Sequence, residues 1–527
     1  MDTNAVNQHI AAHYDAQPYQ SNAFYYSSPA HLRAAAYLSG LEAPPVAQAR
    51  VLELGCAAGG NLLPFACLYP EATAVGIDLS EVQISQGQEL IQRIGLKNIT
   101  LHAMSITDIT PDFGIFDYII VHGVFSWVPP EVRKAILRVC RENLSENGVA
   151  YVSYNCYPGW KAGDIVRDAM LFHSHFIPEE DKVAGAKAML TLLSDGLAAN
   201  NPLRPSLINA VNQLRKQNDY YITHEYLETF NNPCYFVEFA DMAAQANLSY
   251  ISDAEPRLDM AANFGNNVQL NHSLIALGQN RLMRQQYLDF AVGRNFRKSM
   301  LTHATQEEKI TNSDLSKLND LHYAGRFLPI KADDGAAVNV KFYLDQRGNK
   351  VEYSDPAMIA ILEALQAAWP HAIAGTELIR IAEEAGETKP ENTLQKLFYL
   401  GRHYICRDAN DIPAVLCDER NGLLPGALEL LRWRQEVAPG IGQFNPWHDG
   451  ANTKLTEPEW FVVQQLPHTQ KNTELRKALV EAWQLGRVND KDGSSLKGHR
   501  NLENKADKVI KETLDLLKRQ GIWLEKV

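Results

Sequence analysis

Apolar positions in the first third of the chain come in short blocks. The blocks at 51–54, 73–77, 99–103, 116–122 and 149–154 read as strands, with 73–77 a buried parallel one and 116–122, nearly all apolar, buried on both faces. Segments with helical spacing lie between them, at 61–69, 81–94 and 133–144, the last closed by Asn147-Gly148. This βα alternation predicts an open, doubly wound parallel sheet. After Trp160 the rhythm stops. Residues 161–226 have helical spacing, broken by Asn200-Asn201-Pro202 and Pro205, and 236–246 reads as a further helix. A sixth strand is expected at 248–253 and an antiparallel seventh at 296–302, so the helices around 161–230 and 265–292 are insertions in the sheet. Beyond residue 310, a hairpin is predicted around Arg347-Gly348-Asn349, with helices at 356–368, 375–386 and 391–402 and a strand at 414–416. Two more helices, 473–485 and 501–519, and the short run 521–524 close the chain.

The stretch Val51-Leu52-Glu53-Leu54-Gly55-Cys56-Ala57-Ala58-Gly59-Gly60 runs from the first strand into a glycine turn. Its spacing is E-x-G-x-x-x-G, with Cys56 where a dinucleotide fingerprint has its second glycine. A carboxylate two residues before the turn would repel a pyrophosphate and suits a ligand that carries an ammonium group, such as S-adenosylmethionine. The second strand ends at Asp78, 23 residues after Gly55, close to the offset of a ribose-binding carboxylate. Leu79 follows as an apolar wall for adenine. Asp78 is also placed to N-cap the helix from Glu81, and the two roles are compatible.

This motif resembles the first motif of class I S-adenosylmethionine-dependent methyltransferases, and a Gly-rich turn of another α/β protein is its alternative. The pattern Tyr14-Asp15 … Pro18-Tyr19-x-Ser21 … Pro29-x-His31-Leu32 narrows the resemblance. It is similar to the N-terminus of bacterial lysine methyltransferases that carry a methyltransferase regulatory domain and act on a rickettsial outer-membrane protein. The runs His122-Gly123-Val124-Phe125-Ser126-Trp127-Val128, after the fourth strand, and Tyr154-Asn155-Cys156-Tyr157-Pro158-Gly159-Trp160, after the fifth, match the same family. His224-Glu225-Tyr226-Leu227, Tyr235-Phe236-x-Glu238-Phe239 and Tyr287-Leu288-Asp289-Phe290 resemble its regulatory-domain motifs, with aromatic core packing as the plainer reading.

The resemblance implies S-adenosylmethionine as cofactor, held by Tyr14, Glu53, Gly55, Cys56, Gly59, Asn61, Asp78, Leu79, Ser105, Ile106 and His122. Many class I enzymes place an acid after the third strand to bind adenine; here Met104-Ser105-Ile106 stands there, so Ser105 or the backbone must serve. Strand ends one, two, four and five share one edge of such a sheet, so the acceptor side falls to His122, Phe125, Trp127, Tyr154, Asn155, Tyr157 and Trp160. Methyl transfer is an in-line displacement needing a lone pair ~3 Å from the methyl group, with no metal. For lysine, with a pKa of ~10.4, only about one amine in a thousand is neutral at pH 7.4, a penalty of roughly 4 kcal/mol. An aromatic slot lowers that pKa by desolvation. His122 is a candidate base, although a histidine at a strand end is more often a structural hydrogen-bonder.

With 527 residues the chain exceeds one hydrophobic core. Five segments are expected: an aromatic arm or lid (1–50), a Rossmann-like cofactor core (51–160), a helical regulatory domain that supplies the last strands (161–305), and two winged-helix-like regions (306–425 and 426–527). The fold class is therefore α/β, with a Rossmann-like class I methyltransferase sheet, helical insertions and an α-rich C-terminal region. Formal net charge is −12, which disfavours a nonspecific nucleic-acid binder. Seven scattered cysteines without a C-x-x-C pair point to reduced thiols, no structural zinc and a cytoplasmic location. No run approaches the ~20 apolar residues of a membrane span. The expected partner is a protein substrate presenting lysines; a homodimer is left open. The alternatives are a methyltransferase for a small molecule or another protein side chain, and a cofactor-sensing regulator that binds DNA. Residues 486–498 read as a mobile loop.

Overall fold

The computed structural model describes residues 19–228, 230–331, 339–412, 422–437, 440–451 and 454–523. A seven-stranded sheet with strand order β3-β2-β1-β4-β5-β7-β6 forms the centre of a mixed α/β fold. The chain divides into two compact units. The first holds residues 1–108, 116–118 and 313–527, and the second holds 109–115 and 119–312.

In the first unit, α1 (Pro29–Leu38) precedes β1 (Arg50–Leu54), α2 (Leu63–Leu68), β2 (Thr73–Asp78), α3 (Glu81–Ile94) and β3 (Ile99–Ala103). β1 and β2 pair in parallel, as do β2 and β3. The helix α2 is apolar on every side and all six of its residues are buried. At the start of α3 the cap is Ser80, whose hydroxyl accepts from Gln83 N, and Gly95 ends the helix at φ +84°. Capping by Ser80 leaves Asp78 for other work.

The second unit follows β4 (Phe116–Val121) with α4 (Pro130–Glu142) and β5 (Leu144–Asn155). The strand starts five residues earlier than the Asn147-Gly148 pair suggests. The helix ends at Asn143, whose amide donates to Thr110 O and Gly114 O, and the start of β5 is held by Thr302 and His303, bonded to Gly148 O and Leu144 O. Four helices, α5 (Trp160–Ser174), α6 (Lys182–Asp195), α7 (Arg204–Leu214) and α8 (Asp219–Tyr226), make the first insertion. They enclose a core of their own built on Val166, Met170, Leu190, Leu207, Val211 and Ile222. Then come α9 (Phe236–Gln245), β6 (Leu248–Asp253), α10 (Asn266–Ile275), α11 (Arg281–Val292) and β7 (Phe296–His303), with β7 antiparallel to both β5 and β6.

The first unit resumes with β8 (His322–Ala324), β9 (Leu328–Ile330) and the expected hairpin, β10 (Lys341–Leu344) and β11 (Lys350–Tyr353). Three helices, α12 (Pro356–Ala368), α13 (Gly375–Glu384) and α14 (Pro390–Leu400), accompany a small sheet of β8 with the short strands Ile373–Ala374 and Tyr404–Cys406. The strand expected at 414–416 lies outside the described residues. A last group of helices spans Ala427–Glu436, Glu457–Gln465, Asn472–Gln484 and Glu503–Arg519. The loop before the final helix is pinned: Lys491 Nζ lies 2.7 Å from both Glu459 and Glu512, and Lys505 pairs with Asp490.

Candidate functional site

In the first unit the glycine turn hangs on the end of β2. Gly55 N and Cys56 N donate to Ile77 O at 2.7 and 3.0 Å. Gly55 and Gly59 both sit at φ +77°, where a Cβ is strained. Asp78 braces the turn: Oδ2 accepts from Ala57 N at 2.8 Å and Oδ1 from Ser80 N at 3.0 Å. Two oxygens with several lone pairs keep acceptor capacity beyond these bonds. The Cys56 side chain turns inward; a Cβ on Gly76 would lie 2.7 Å from its Sγ, so Cys56 can meet a ligand through its backbone alone.

Glu53 is 3% exposed. Its Oε1 accepts from Asn61 Nδ2 at 2.8 Å, while Oε2 is buried with no partner among the described residues. Burial, eased by the Asn61 hydrogen bond and reinforced by Asp78, pushes its carboxyl up to about 8. Asn61 is spent on the protein itself: Nδ2 also donates to Ser27 Oγ at 3.1 Å, and Oδ1 accepts from Phe24 N and lies 3.0 Å from His448 Nε2. It orients Glu53. Ser21 closes the turn, accepting from Gly60 N at 2.7 Å through Oγ and bonding Gly440 and Gly442 through its backbone. Ser21, Ser27 and His448 were not legible as site residues, since their partners lie far away in sequence. Ser105 is a local cap, its hydroxyl 2.7 Å from Thr107 Oγ1; Ile106 is buried and Leu79 half-buried. Tyr14 lies outside the described residues.

The second unit gathers the residues after β4 and β5. Ser126 joins the two loops, its hydroxyl accepting from Asn155 N at 2.9 Å. Asn155 Nδ2 donates to Asn231 Oδ1. Phe125 and Tyr154 are core residues: both pack on Phe239, with ring centroids 5.3 and 4.1 Å away, and neither is exposed. Trp160 is buried against Tyr226 at 5.7 Å. Trp127 and Tyr157 are half-exposed. The Tyr157 hydroxyl donates to Asp164 at 2.7 Å, and Lys161 Nζ stands 3.5 Å above its ring. His122 Nδ1 lies 3.0 Å from Tyr151 Oη and 3.1 Å from Ser153 Oγ. Burial, then the charge of Lys298, pulls its imidazole down to about 3. A ring that stays neutral and is engaged by two hydroxyls is a poor proton acceptor.

Behind this region Arg297 is fully buried. Its Nε and Nη2 bind Asp289 at 2.8 and 2.7 Å, and Nη1 reaches Tyr250 Oη at 3.1 Å. Arg294 adds a third bond to Asp289 at 2.5 Å. The Tyr287-Leu288-Asp289-Phe290 motif thus supplies a buried anion to β7.

S-adenosylmethionine fits the first unit: Glu53 Oε2 offers an unpartnered carboxylate oxygen to an ammonium, Asp78 offers acceptors to a ribose diol, and the turn has no Cβ at Gly55 and Gly59. A family model described as "Methyltransferase domain" matches residues 51–148, and one described as "Predicted methyltransferase regulatory domain" matches 218–303. The Rickettsia prowazekii protein RP789, uncharacterized, is 41% identical over 359 residues, 66% of this chain; the chain spans 64% of its length. RP028 of the same organism, also uncharacterized, is 39% identical over 232 residues, 44% of this chain and 93% of the relative. The structure of PKMT2 from Rickettsia typhi is similar with a TM-score of 0.78 at 25% identity, covering 96% of this chain and 100% of that one. Its complex with AdoHcy, the demethylated form of the cofactor, scores 0.79 at 26% identity over the same shares. The chain belongs to the class I S-adenosylmethionine-dependent methyltransferases that carry a methyltransferase regulatory domain.

Proposed function

We propose that the chain transfers methyl groups from S-adenosylmethionine to lysine side chains of a protein substrate. The observation that carries this reading is Glu53 Oε2, a buried carboxylate oxygen with no partner, beside a turn braced by Asp78. When bound, the cofactor supplies a methyl group on a sulfonium. Glu53 and Asp78 hold and orient it, and Asn61 fixes Glu53. For the acceptor, Trp127 and Tyr157 supply half-exposed aromatic surface, and the Tyr157 ring already seats an ammonium, that of Lys161. Removing an ammonium from water favours its neutral form, the form that carries the lone pair. The likeness to PKMT2 over nearly the whole chain supports a protein acceptor. The six described cysteines are unpaired, in keeping with a cytoplasmic location. Among the described residues no helix is long and apolar enough to cross a membrane.

The test is incubation of the full chain with methyl-labelled S-adenosylmethionine and bacterial protein extracts, read by mass spectrometry. Label on lysine Nζ is expected. Label confined to small molecules or to other side chains would overturn the lysine assignment. Failure to bind S-adenosylhomocysteine would overturn methyl transfer.

A further inference from the structure

A cleft of about 570 Å³ opens in the helical insertion of the second unit, apart from the glycine turn. One wall is the segment 158–163 that leaves β5, and the other is α7. Along α7 the lining residues form two parallel rows at helical spacing. Leu207, Ala210 and Leu214, with Leu203 at the cap before them, make an apolar row, while Ser206, Asn209 and Gln213, with Gln217 beyond the helix end, make a polar one. The polar row is exposed, and none of its four side chains is hydrogen-bonded to another described residue. Trp160 and Tyr226 add an aromatic end. Lys161 is the single charged side chain among the described lining residues; its Nζ lies over the Tyr157 ring, and its charge acts on the Asp164 carboxyl that the Tyr157 hydroxyl bonds.

We infer that this cleft binds an extended segment of the protein substrate, with an acidic residue of that segment against Lys161. The inference rests on the proposal that the acceptor is a protein. Side-chain amides both donate and accept, which is what a peptide backbone needs on its exposed edge. An apolar row beside them takes alternate side chains of an extended strand. From Leu203 to Leu214 the apolar row runs ~16 Å at the helical rise, the length of about five extended residues. A single cation is too little for a nucleic-acid backbone, whose binding depends on neutralising many phosphates. It suffices to select one carboxylate, whose direct ion pair would compete with the Tyr157 ring and the Asp164 charge that act on the ammonium now.

Two fluorescein-labelled peptides test this, each of about eight residues built from valine, threonine and one lysine, and identical except that one carries a glutamate where the other has glutamine. Fluorescence anisotropy with the full chain, without cofactor, should show the glutamate peptide binding several-fold tighter. Lys161→Gln should erase that preference. The double variant Asn209→Ala/Gln213→Ala should weaken both peptides at least fivefold, and Ala210→Trp, with its fold checked by circular dichroism, should abolish binding of both. No binding of either peptide, or equal binding by all variants, would overturn the inference. So would a preference for glutamate that survives Lys161→Gln. Because binding is read without cofactor, a peptide that occupies the cleft yet never gains a methyl group would count against lysine transfer and leave the cleft assignment standing.

Discussion

Glu53 is held where its charge is costly until a cation arrives. Its folded pKa of about 8 lies above the ordinary 4.5, so the empty chain prefers it protonated. The fold binds more protons than the unfolded chain between those values, and this group's contribution to stability declines as pH rises through that window. An ammonium-bearing ligand needs the ionised form. Affinity for S-adenosylhomocysteine should therefore climb up to about tenfold per pH unit below 8 and level above it, with one proton released per ligand bound. Calorimetry in buffers of different ionisation enthalpy reads that proton directly, and Glu53→Gln should flatten the profile. Asp78→Ala should weaken the same ligand by ~1.5–3 kcal/mol, the worth of a charge-assisted hydrogen bond, with the fold intact; unchanged calorimetric affinity would remove Asp78 from the site. Glu53, Gly55 and Asp78 stand out in the sequence because a glycine turn and a strand-end acid at a set offset make a pattern. Asn61 was expected to hold the cofactor, whereas its side chain is engaged by Glu53, Ser27, Phe24 and His448, partners that no spacing rule connects.

Among the elements, the loop after β4 and the end of β5 with the turn that follows it contain aromatics of two kinds that the sequence shows as one. Phe125 and Tyr154 are unexposed and packed on Phe239, so truncating either to alanine should cost ~3–5 kcal/mol of stability, seen as a lowered melting temperature. Trp127→Ala and Tyr157→Ala should instead spare the fold, leave cofactor affinity within a few fold and reduce the rate more than that, because alignment and desolvation act on the transition state. With a lysine acceptor the loss should shrink as pH approaches ~10; a pH-independent loss would count against a role in amine deprotonation. The central strands β4 and β5 were legible from nearly continuous apolar runs, whereas β3 alternates buried and exposed positions. The two-residue strands near Ile373 and the three-residue strands at His322 and Tyr404 were not, since two or three residues carry no period. Nor was the Asp289–Arg297 pair: the motif around Asp289 stood out, but its partner looked like an ordinary strand residue. Asp289→Ala leaves Arg294 buried without a carboxylate and Arg297 with only Asp259, 3.3 Å from its Nη1, and should destabilise the second unit by ~3–5 kcal/mol, which thermal unfolding will report.

For the whole molecule, the cofactor turn depends on residues from both ends of the first unit's sequence. His448 Nε2 meets Asn61 Oδ1 across 387 positions, and Ser21 is bracketed by Gly440 and Gly442. His448→Ala should therefore weaken S-adenosylhomocysteine binding several-fold although the residue itself is buried away from the turn's backbone, and calorimetry beside a melting curve separates that effect from unfolding. The ladder from Asn61 to Glu53 also sets an order of events during synthesis. A ribosome delivers Glu53 and Asn61 early, then the entire second unit, and only afterwards the 440–451 segment that gives Asn61 and Ser21 their remaining partners. The nascent turn must wait, with its buried acid only partly supported, while the roughly two hundred residues of the second unit, and then residues 313–439 of the first, are synthesised. Ligand capture then belongs to the late chain: a nascent polypeptide stalled before Gly440 should be unable to retain the cofactor, however complete its first three strands.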